Sequence, residues 1–423
     1  MNFVCSLRLL LKGLNRNFKI INFGDVPDVY KVHDVMERYS YAQPRSRGVL
    51  RSFKELSRIF LKPTVKVYTV PNVPVIYCGG SKNNEREFSF FSKMCSKKIQ
   101  MVGYARDANL SFVSAKELRK TFIENVFSFS ALFVCFFYLF KIKLNPISFK
   151  YLSTFGKVYL QTFISFYRLK SLPRVLVVAN DHTDFPVAAS MVMQYFGVPV
   201  IYVQHAEVSP SFPPLDFSVS VLRNEKSLQV YKRCGDVLGD TFVIPRQEKV
   251  AGFTRLIESQ SGQTHIVVYL SSVYQEDALK RCIEALQENA NVLGVSVKPH
   301  PRANHEFLNS IRDVRVYDTI PSDDHVAVVP NSSVLIELLE TGIPVFQLFN
   351  LDNVDRDYYG FVREGIAPEI SVEDLRKPFW VSRFYDEQWV SRFAAYSPAV
   401  DDSWRAAVPA LMARMEAILR PVE

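Results

Sequence analysis

The chain has 423 residues, 48% of them apolar, and 51 Lys and Arg against 43 Asp and Glu give a net charge of +8. That length exceeds what one core usually supports, so two domains are expected, and the apolar content with no low-complexity tract or internal repeat fits a globular protein rather than a disordered or fibrous one. The positive balance calls for an anionic partner, and since no RNA- or DNA-binding signature accompanies it, nucleic acid ranks behind a membrane surface or a phosphorylated substrate.

The six cysteines, at 5, 78, 95, 135, 234 and 282, are scattered, with no CxxC or Cys/His cluster. That argues for a reducing compartment and against zinc. Met1–Leu14 is basic and apolar, but Arg8 and Lys12 interrupt it and no small-residue cleavage site follows. It reads as a short amphipathic helix rather than a signal peptide. Phe18–Phe23 reads as a first strand ending at Gly24-Asp25. Val65–Tyr68 and Val75–Cys78 read as strands on either side of a Pro71-Asn72 turn, and Lys82–Arg86 as an exposed charged loop. Arg45, Arg47, Arg51, Lys54 and Arg58 form a basic patch, read as a solvated helix face.

Val126–Phe140 is the most apolar stretch, and its fifteen residues end at Lys141 and Lys143. A bilayer-spanning helix needs roughly 20 residues, so the first reading is a buried helix and the second an interfacial segment on an anionic membrane. Aromatics from Phe149 to Tyr167 continue at helical spacing.

An α/β unit begins at Arg174. Strand Val175–Ala179 ends in Asn180, Asp181 and His182; a helix over Pro186–Phe196 stops at Gly197; strand Pro199–Val203 ends in Gln204, His205, Ala206 and Glu207. Pro213, Pro214, Leu215 and Asp216 follow as a loop, then a strand at Val219–Leu222, a helix at Glu225–Tyr231 and a strand at Thr241–Ile244. Glu248–Gln263 reads as a linker, dividing a domain over 1–247 from one over 264–423.

The second domain opens with strand His265–Leu270, and Ser271-Ser272 at its end could face the cleft. Asp277–Gln287 is helical. Strand Val295–Val297 ends in Lys298-Pro299-His300-Pro301-Arg302, and strand Val326–Val329 ends in Pro330-Asn331-Ser332-Ser333. Val334, Leu335, Leu338 and Leu339 then recur at helical spacing up to Gly342 and Pro344. Trp404–Leu419 has helical spacing too. Short buried strands alternating with helices predict α/β domains with parallel sheets, whose ligands sit at the carboxyl ends of the strands. Both polar clusters lie there. Ser332 and Ser333 at a helix start favour an anion, His300 and Arg302 add donors suited to phosphate, and Glu337 one turn later can accept from a sugar hydroxyl. A plain N-cap and a turn are the alternative reading of each piece taken alone.

Lys298-Pro299-His300-Pro301 followed by Asn331-Ser332-Ser333 resembles the "HP" and "SS" motifs of bacterial GT-B glycosyltransferases that use CMP-activated sugars: the sialyltransferases, polysialyltransferases and Kdo transferases of capsule and lipopolysaccharide synthesis. The CDP-glycerol polymerases of teichoic acid synthesis carry a similar pair. Residues 174–231 resemble the acceptor-side domain of these enzymes, through "VQH" at 203–205 and "PPLDF" at 213–217. The resemblance implies two Rossmann-type domains facing each other across a cleft, with the last helix, Trp404–Leu419, crossing back to the first domain. It implies that His300, Ser332 and Ser333 contact the donor phosphate and that Glu337 holds the ribose. For a retaining Kdo transferase it implies a carboxylate nucleophile.

The expected activity is transfer of a sugar, best read as Kdo, from CMP to a bacterial surface polysaccharide or lipopolysaccharide. Sialyl or polysialyl transfer, CDP-polyol phosphotransfer, an epimerase on the same fold and a non-catalytic assembly partner are the alternatives. Donor binding falls to Lys298, His300, Arg302, Asn331, Ser332, Ser333 and Glu337. Catalysis falls to Asp216 as nucleophile, with His205, Glu207 and Asp181 (His182 and Asp184 beside them) for proton transfer. No cofactor or metal is expected: Asp355-Arg356-Asp357 imitates a metal motif but offers too few oxygens. The partners expected are a nucleotide-sugar donor, a glycan or glycolipid acceptor and the anionic inner-membrane surface, with the protein cytoplasmic and peripheral.

Overall fold

The computed structural model describes residues 2–23, 49–68, 74–78, 82–94, 101–104, 115–144, 146–246, 250, 264–271, 274–300, 306–377 and 384–420. Arg302, Ser272, Arg45, Arg47, the Pro71-Asn72 turn and nearly all of the expected linker lie outside the described residues.

The first domain starts with helices α1 (Phe3–Arg16), α2 (Phe18–Phe23) and α3 (Val49–Leu61). Its strands are β1 (Thr64–Tyr68), β2 (Val75–Cys78), β3 (Met101–Tyr104), β4 (Ala115–Arg119), β5 (Val175–Val178), β6 (Val200–Val203), β7 (Asp216–Leu222) and β8 (Leu238–Val243). Between them run α4 (Lys82–Met94), α5 (Phe122–Leu139), α6 (Pro146–Tyr167), α7 (Asp184–Tyr195) and α8 (Glu225–Cys234). Six strands form a parallel sheet in the order β3-β2-β5-β6-β7-β8. The second domain holds β9 (Thr264–Tyr269), β10 (Val292–Lys298), β11 (Arg315–Val316), β12 (Val326–Val329) and β13 (Val345–Gln347), with α9 (Glu276–Gln287), α10 (Val334–Glu340), α11 (Glu387–Phe393) and α12 (Ala407–Leu419). Its strands form a parallel sheet in the order β11-β10-β9-β12-β13.

The central strands explain themselves. VLVV of β5 and VIYV of β6 are buried at every position, the signature of a parallel sheet covered on both faces. Leu176, Val178, Val200 and Tyr202 join a core built with α1, α5, α6 and α7. Their alternates Val175, Val177, Ile201 and Val203 join a second core that contains Leu411 and Met415 of α12. The last helix thus packs on the first domain's sheet, and Arg414 Nε holds Asp240 at 2.7 Å there. Gly13 lets α1 approach α6: a Cβ at that position would lie 2.7 Å from the Phe155 ring. Gly342 ends α10 with a φ of +79°, which suits glycine.

Three expectations are corrected. Phe18–Phe23 is helix α2, not a strand; a six-residue apolar run cannot be told from a buried helix by periodicity, and Ile21 packs into the helical core. The strands expected at Val65–Tyr68 and Val75–Cys78 are present: β1 pairs antiparallel with β4, Val65 opposite Leu118, while β2 enters the main sheet between β3 and β5. Lys82–Arg86 opens helix α4 rather than forming a loop. Asp216 begins β7 instead of sitting in a loop, and pairs through its backbone with Leu238. The stretch from Val126 falls in α5, with Phe140 as the helix's C-cap, and that helix is buried on one face only.

Candidate active site

The carboxyl ends of the two sheets carry the site. In the second domain β10 runs into Pro299 and half-buried His300, and Lys298 Nζ donates to the Pro299 carbonyl at 2.8 Å, shaping that turn. β12 runs into Asn331, Ser332 and Ser333. Asn331 is a buried clamp: its Oδ1 accepts from the Tyr358 backbone N–H at 3.0 Å and its Nδ2 donates to Asp352 at 3.4 Å. Burial pushes the Asp352 carboxyl up to about 6 despite these bonds. Ser332 Oγ accepts from the Val334 N–H at 3.4 Å, whereas Ser333 makes no side-chain cap bond to α10. Asp357, with φ of +50°, accepts from the N–H groups of Val362 and Arg363 at 3.0 and 2.9 Å, and Arg356 pairs with Glu369. Asp357 of the Asp355-Arg356-Asp357 triplet thus holds its own loop.

Glu337 does not stand open for a ribose. Its Oε1 accepts from Arg86 of α4 and from Arg246 beyond β8, both at 3.0 Å, and its Oε2 from Arg86 at 3.2 Å. Arg223, at the end of β7, lies 3.9 Å away. Burial would raise the Glu337 carboxyl, but these three guanidiniums more than offset it and hold the group at about 2. Arg246 also pairs with buried Glu87, and Arg223 lies 3.8 Å from buried Glu207. Burial raises Glu87, Glu207 and Glu340 against the pull of the arginines. Lys226 pairs with Glu364, and Ser209 and Tyr358 share a hydroxyl bond of 2.5 Å, so the domains meet around this cluster.

On the first domain the turn after β5 builds a second centre. Asn180 Oδ1 accepts from the N–H groups of His182 and Thr183 at 3.1 and 2.8 Å, fixing the turn. Its oxygen being used, its amide NH2 is the donor to His205 Nε2 at 3.4 Å, which assigns the neutral imidazole proton to Nδ1. That Nδ1 is buried with no hydrogen-bond partner. Burial, His182 and the arginines push His205 down to about 3, against the pull of Asp181, so it is neutral at pH 7. Asp181 is fully buried: one oxygen lies 2.8 Å from His182 Nδ1 and the other accepts from the Tyr231 hydroxyl at 2.7 Å. Burial works against the Asp181 carboxylate, but His182, Arg16 and Tyr231 keep it below its usual range. The rings of His182 and His205 stand 6.0 Å apart.

The structure therefore brings Asp181, His205 and Glu207 to one end of the sheet, with His182 beside them. It leaves out Asp216. In a parallel sheet the amino end of β7 lies opposite the ends that carry His205 and Arg223, and six residues of strand span roughly 20 Å. The Asp216 carboxylate pairs there with Lys12 at 2.8 Å. Glu207 is held by Arg223 and by Asn224 Nδ2 at 3.3 Å, which makes it a support for the arginine. Arg86, Arg223, Arg246 and Tyr231 were not anticipated. Arg223 directly follows β7 and Arg246 stands a few residues past the end of β8, so the carboxyl-end rule would have found them; Arg86 gives no such signal.

No protein-family model matches the chain, and no curated protein matches it in sequence. Solved structures do resemble it in fold. The calicheamicin glycosyltransferase CalG4 superposes with a TM-score of 0.51 at 10% identity, over 83% of this chain and all, 100%, of that one. MnaA of S. aureus in complex with UDP gives 0.45 at 11% identity over 82% and 96% of the two chains. UDP-N-acetylglucosamine 2-epimerase from Rickettsia bellii gives 0.43 at 12% over 82% and 98%. The fold is of the GT-B type, with Rossmann-type parallel sheets facing each other across a cleft.

Proposed function

We propose that this chain is a glycosyltransferase that moves a sugar from a nucleotide donor held by the second domain to a glycan acceptor held by the first. The observation that carries this reading is the convergence of Arg86, Arg223 and Arg246 on Glu337, where the domains meet. Guanidiniums match phosphate and carboxylate oxygens in a bidentate manner, so a donor that displaces Glu337 meets three cations already in place. The finer reading is a CMP-activated acidic sugar, best Kdo, with sialic acid as the alternative. It rests on the resemblance of Lys298-Pro299-His300-Pro301 and Asn331-Ser332-Ser333 to CMP-sugar transferases. The sugar carboxylate would give the arginine cluster a further partner. A bacterial surface polysaccharide or lipopolysaccharide is the acceptor class.

In the proposed step the acceptor oxygen forms a bond to the anomeric carbon as the carbon–oxygen bond to phosphate breaks. The nucleotide leaves with that electron pair, and the acceptor proton passes to His182. His182 is suited to this because its Nδ1 faces the Asp181 carboxylate, which leaves Nε2 as the acceptor. His300, Arg223 and Arg246 offset the charge on the leaving phosphate, using fixed cations and donors rather than a metal ion.

A titration with CMP, CDP and UDP followed by thermal unfolding tests the donor site, since a ligand that binds only the folded state raises the melting temperature. A rise with CMP that is lost in Arg246→Ala supports the proposal. No rise with any of the three favours a non-catalytic partner of polysaccharide assembly.

A further inference from the structure

Helix α5 presents one face to the core and one to solvent. Phe127, Ala131, Leu132, Cys135 and Tyr138 are buried, and the Tyr138 hydroxyl donates to the Leu14 carbonyl at 2.8 Å. The opposite face carries Phe122, Val126, Phe129, Phe133, Phe137 and Phe140, spaced by three or four residues, with Phe122, Phe137 and Phe140 82, 68 and 88% exposed. Phe129 and Phe133 stack edge to face at 5.1 Å and Phe133 follows Phe137 at 6.4 Å, so the stripe is continuous. Scattered exposed apolar residues need no explanation, but a contiguous aromatic stripe one helix long does.

The helix is long and apolar enough to cross a membrane, with a mean hydropathy of 1.8 over 18 residues. Crossing would pull its inner face out of the core and break the pair between Glu124 and Arg168, so it can meet lipid only lying flat. Charge decides the occupant. Glu124, the only acid in the helix, is buried, so no negative charge faces out. Exposed Lys141 and Lys143 follow one end; exposed Lys116 and Arg119 precede the other, and Glu117 among them is paired with Lys62. A second copy would set one chain of charge +8 against another.

We propose that the outer face of α5 docks in the plane of an anionic lipid bilayer, its phenylalanines in the acyl boundary and its flanking lysines and arginine at the headgroups. The claim goes beyond sugar transfer and is tested without any donor. The full chain is sedimented with vesicles of pure phosphatidylcholine and with vesicles about one-third phosphatidylglycerol, beside the variant Phe133→Ser/Phe137→Ser. Both substituted residues are exposed, and a thermal melt checks that the variant folds. Binding to the anionic vesicles should exceed that to neutral ones by about tenfold or more, weaken with salt, and fall at least about tenfold in the variant. In Phe137→Trp the tryptophan emission should shift to the blue on binding. The proposal is overturned if the parent ignores anionic vesicles, if the double variant binds them as tightly, or if the stripe instead holds a dimer that the double variant dissociates.

Discussion

Arg246 and Glu337 come from opposite domains and meet at 3.0 Å. Each stands just past or within the first turn after a parallel strand, so the contact joins the working ends of both sheets. It also couples the domain interface to pH. Glu337 is held near 2 against an ordinary 4.5, because three guanidiniums outweigh its burial. A carboxylate depressed in the folded state stabilises it above the unfolded value and loses that stabilisation as pH falls through the folded one. The shift from 4.5 to about 2 corresponds to about 3 kcal/mol at most. Thermal melts of Glu337→Gln should be lower than the parent's at neutral pH and should flatten between pH ~5 and ~2, where the parent loses stability. Parallel pH curves for both proteins would remove Glu337 from that role.

The Asp181–His182 pair separates positioning from binding. Asp181 touches His182 and Tyr231 and is fully buried, so in the proposed transfer its part runs through the imidazole. His182→Ala should lower turnover by roughly a hundredfold to ten thousandfold with little change in nucleotide affinity. Asp181→Asn should lower turnover too, and displace the pH–rate profile, which a purely structural role would leave in place. Equal losses in nucleotide affinity and turnover would assign both residues to folding.

The loop after β12 makes a contrast between neighbours. Ser332 Oγ caps the Val334 N–H, whereas Ser333 makes no cap bond to α10. Ser332→Ala should therefore cost about 1 kcal/mol of stability, the net worth of one such hydrogen bond. Ser333→Ala should keep its stability and lose nucleotide affinity. His300→Ala should lower turnover by roughly tenfold to a thousandfold, the range for one preorganised donor. Native affinity in Ser333→Ala would reduce the pair to a structural cap.

Asp216→Asn should retain activity to within roughly a factor of three. Its pair with Lys12 is solvent-screened, since that lysine side chain is 45% exposed, and exposed pairs contribute about 0–1 kcal/mol. A covalent sugar adduct on the peptide containing Asp216 would contradict this placement.

The parallel sheets were legible because their strands are short apolar runs that end in polar clusters, as at Val175–Val178 before Asp181 and Val326–Val329 before Ser332. The carboxyl-end rule also placed His205, Glu207, His300 and Glu337. It failed where a strand's extent was misread. Starting β7 at Val219 left Asp216 in an apparent loop, but Phe217 packs against Tyr202 and draws the strand back to Asp216. Arg86 was hidden because the charged run Lys82–Arg86 reads as an exposed loop until the fold places it in α4 against Glu337 of the other domain. The two faces of α5 were hidden for another reason: both are apolar, so hydropathy alone cannot say which one is buried.

The most direct test of sugar transfer is mass spectrometry of the full chain incubated with CMP-Kdo, CMP-sialic acid or a UDP-sugar, together with lipopolysaccharide precursor acceptors, following both glycan and released nucleotide. The acceptor should gain one acidic sugar as CMP is released in equal amount, with release lost in His182→Ala and Arg246→Ala. Neither nucleotide release nor acceptor mass gain from any donor, in protein that binds CMP, would contradict the proposed transfer.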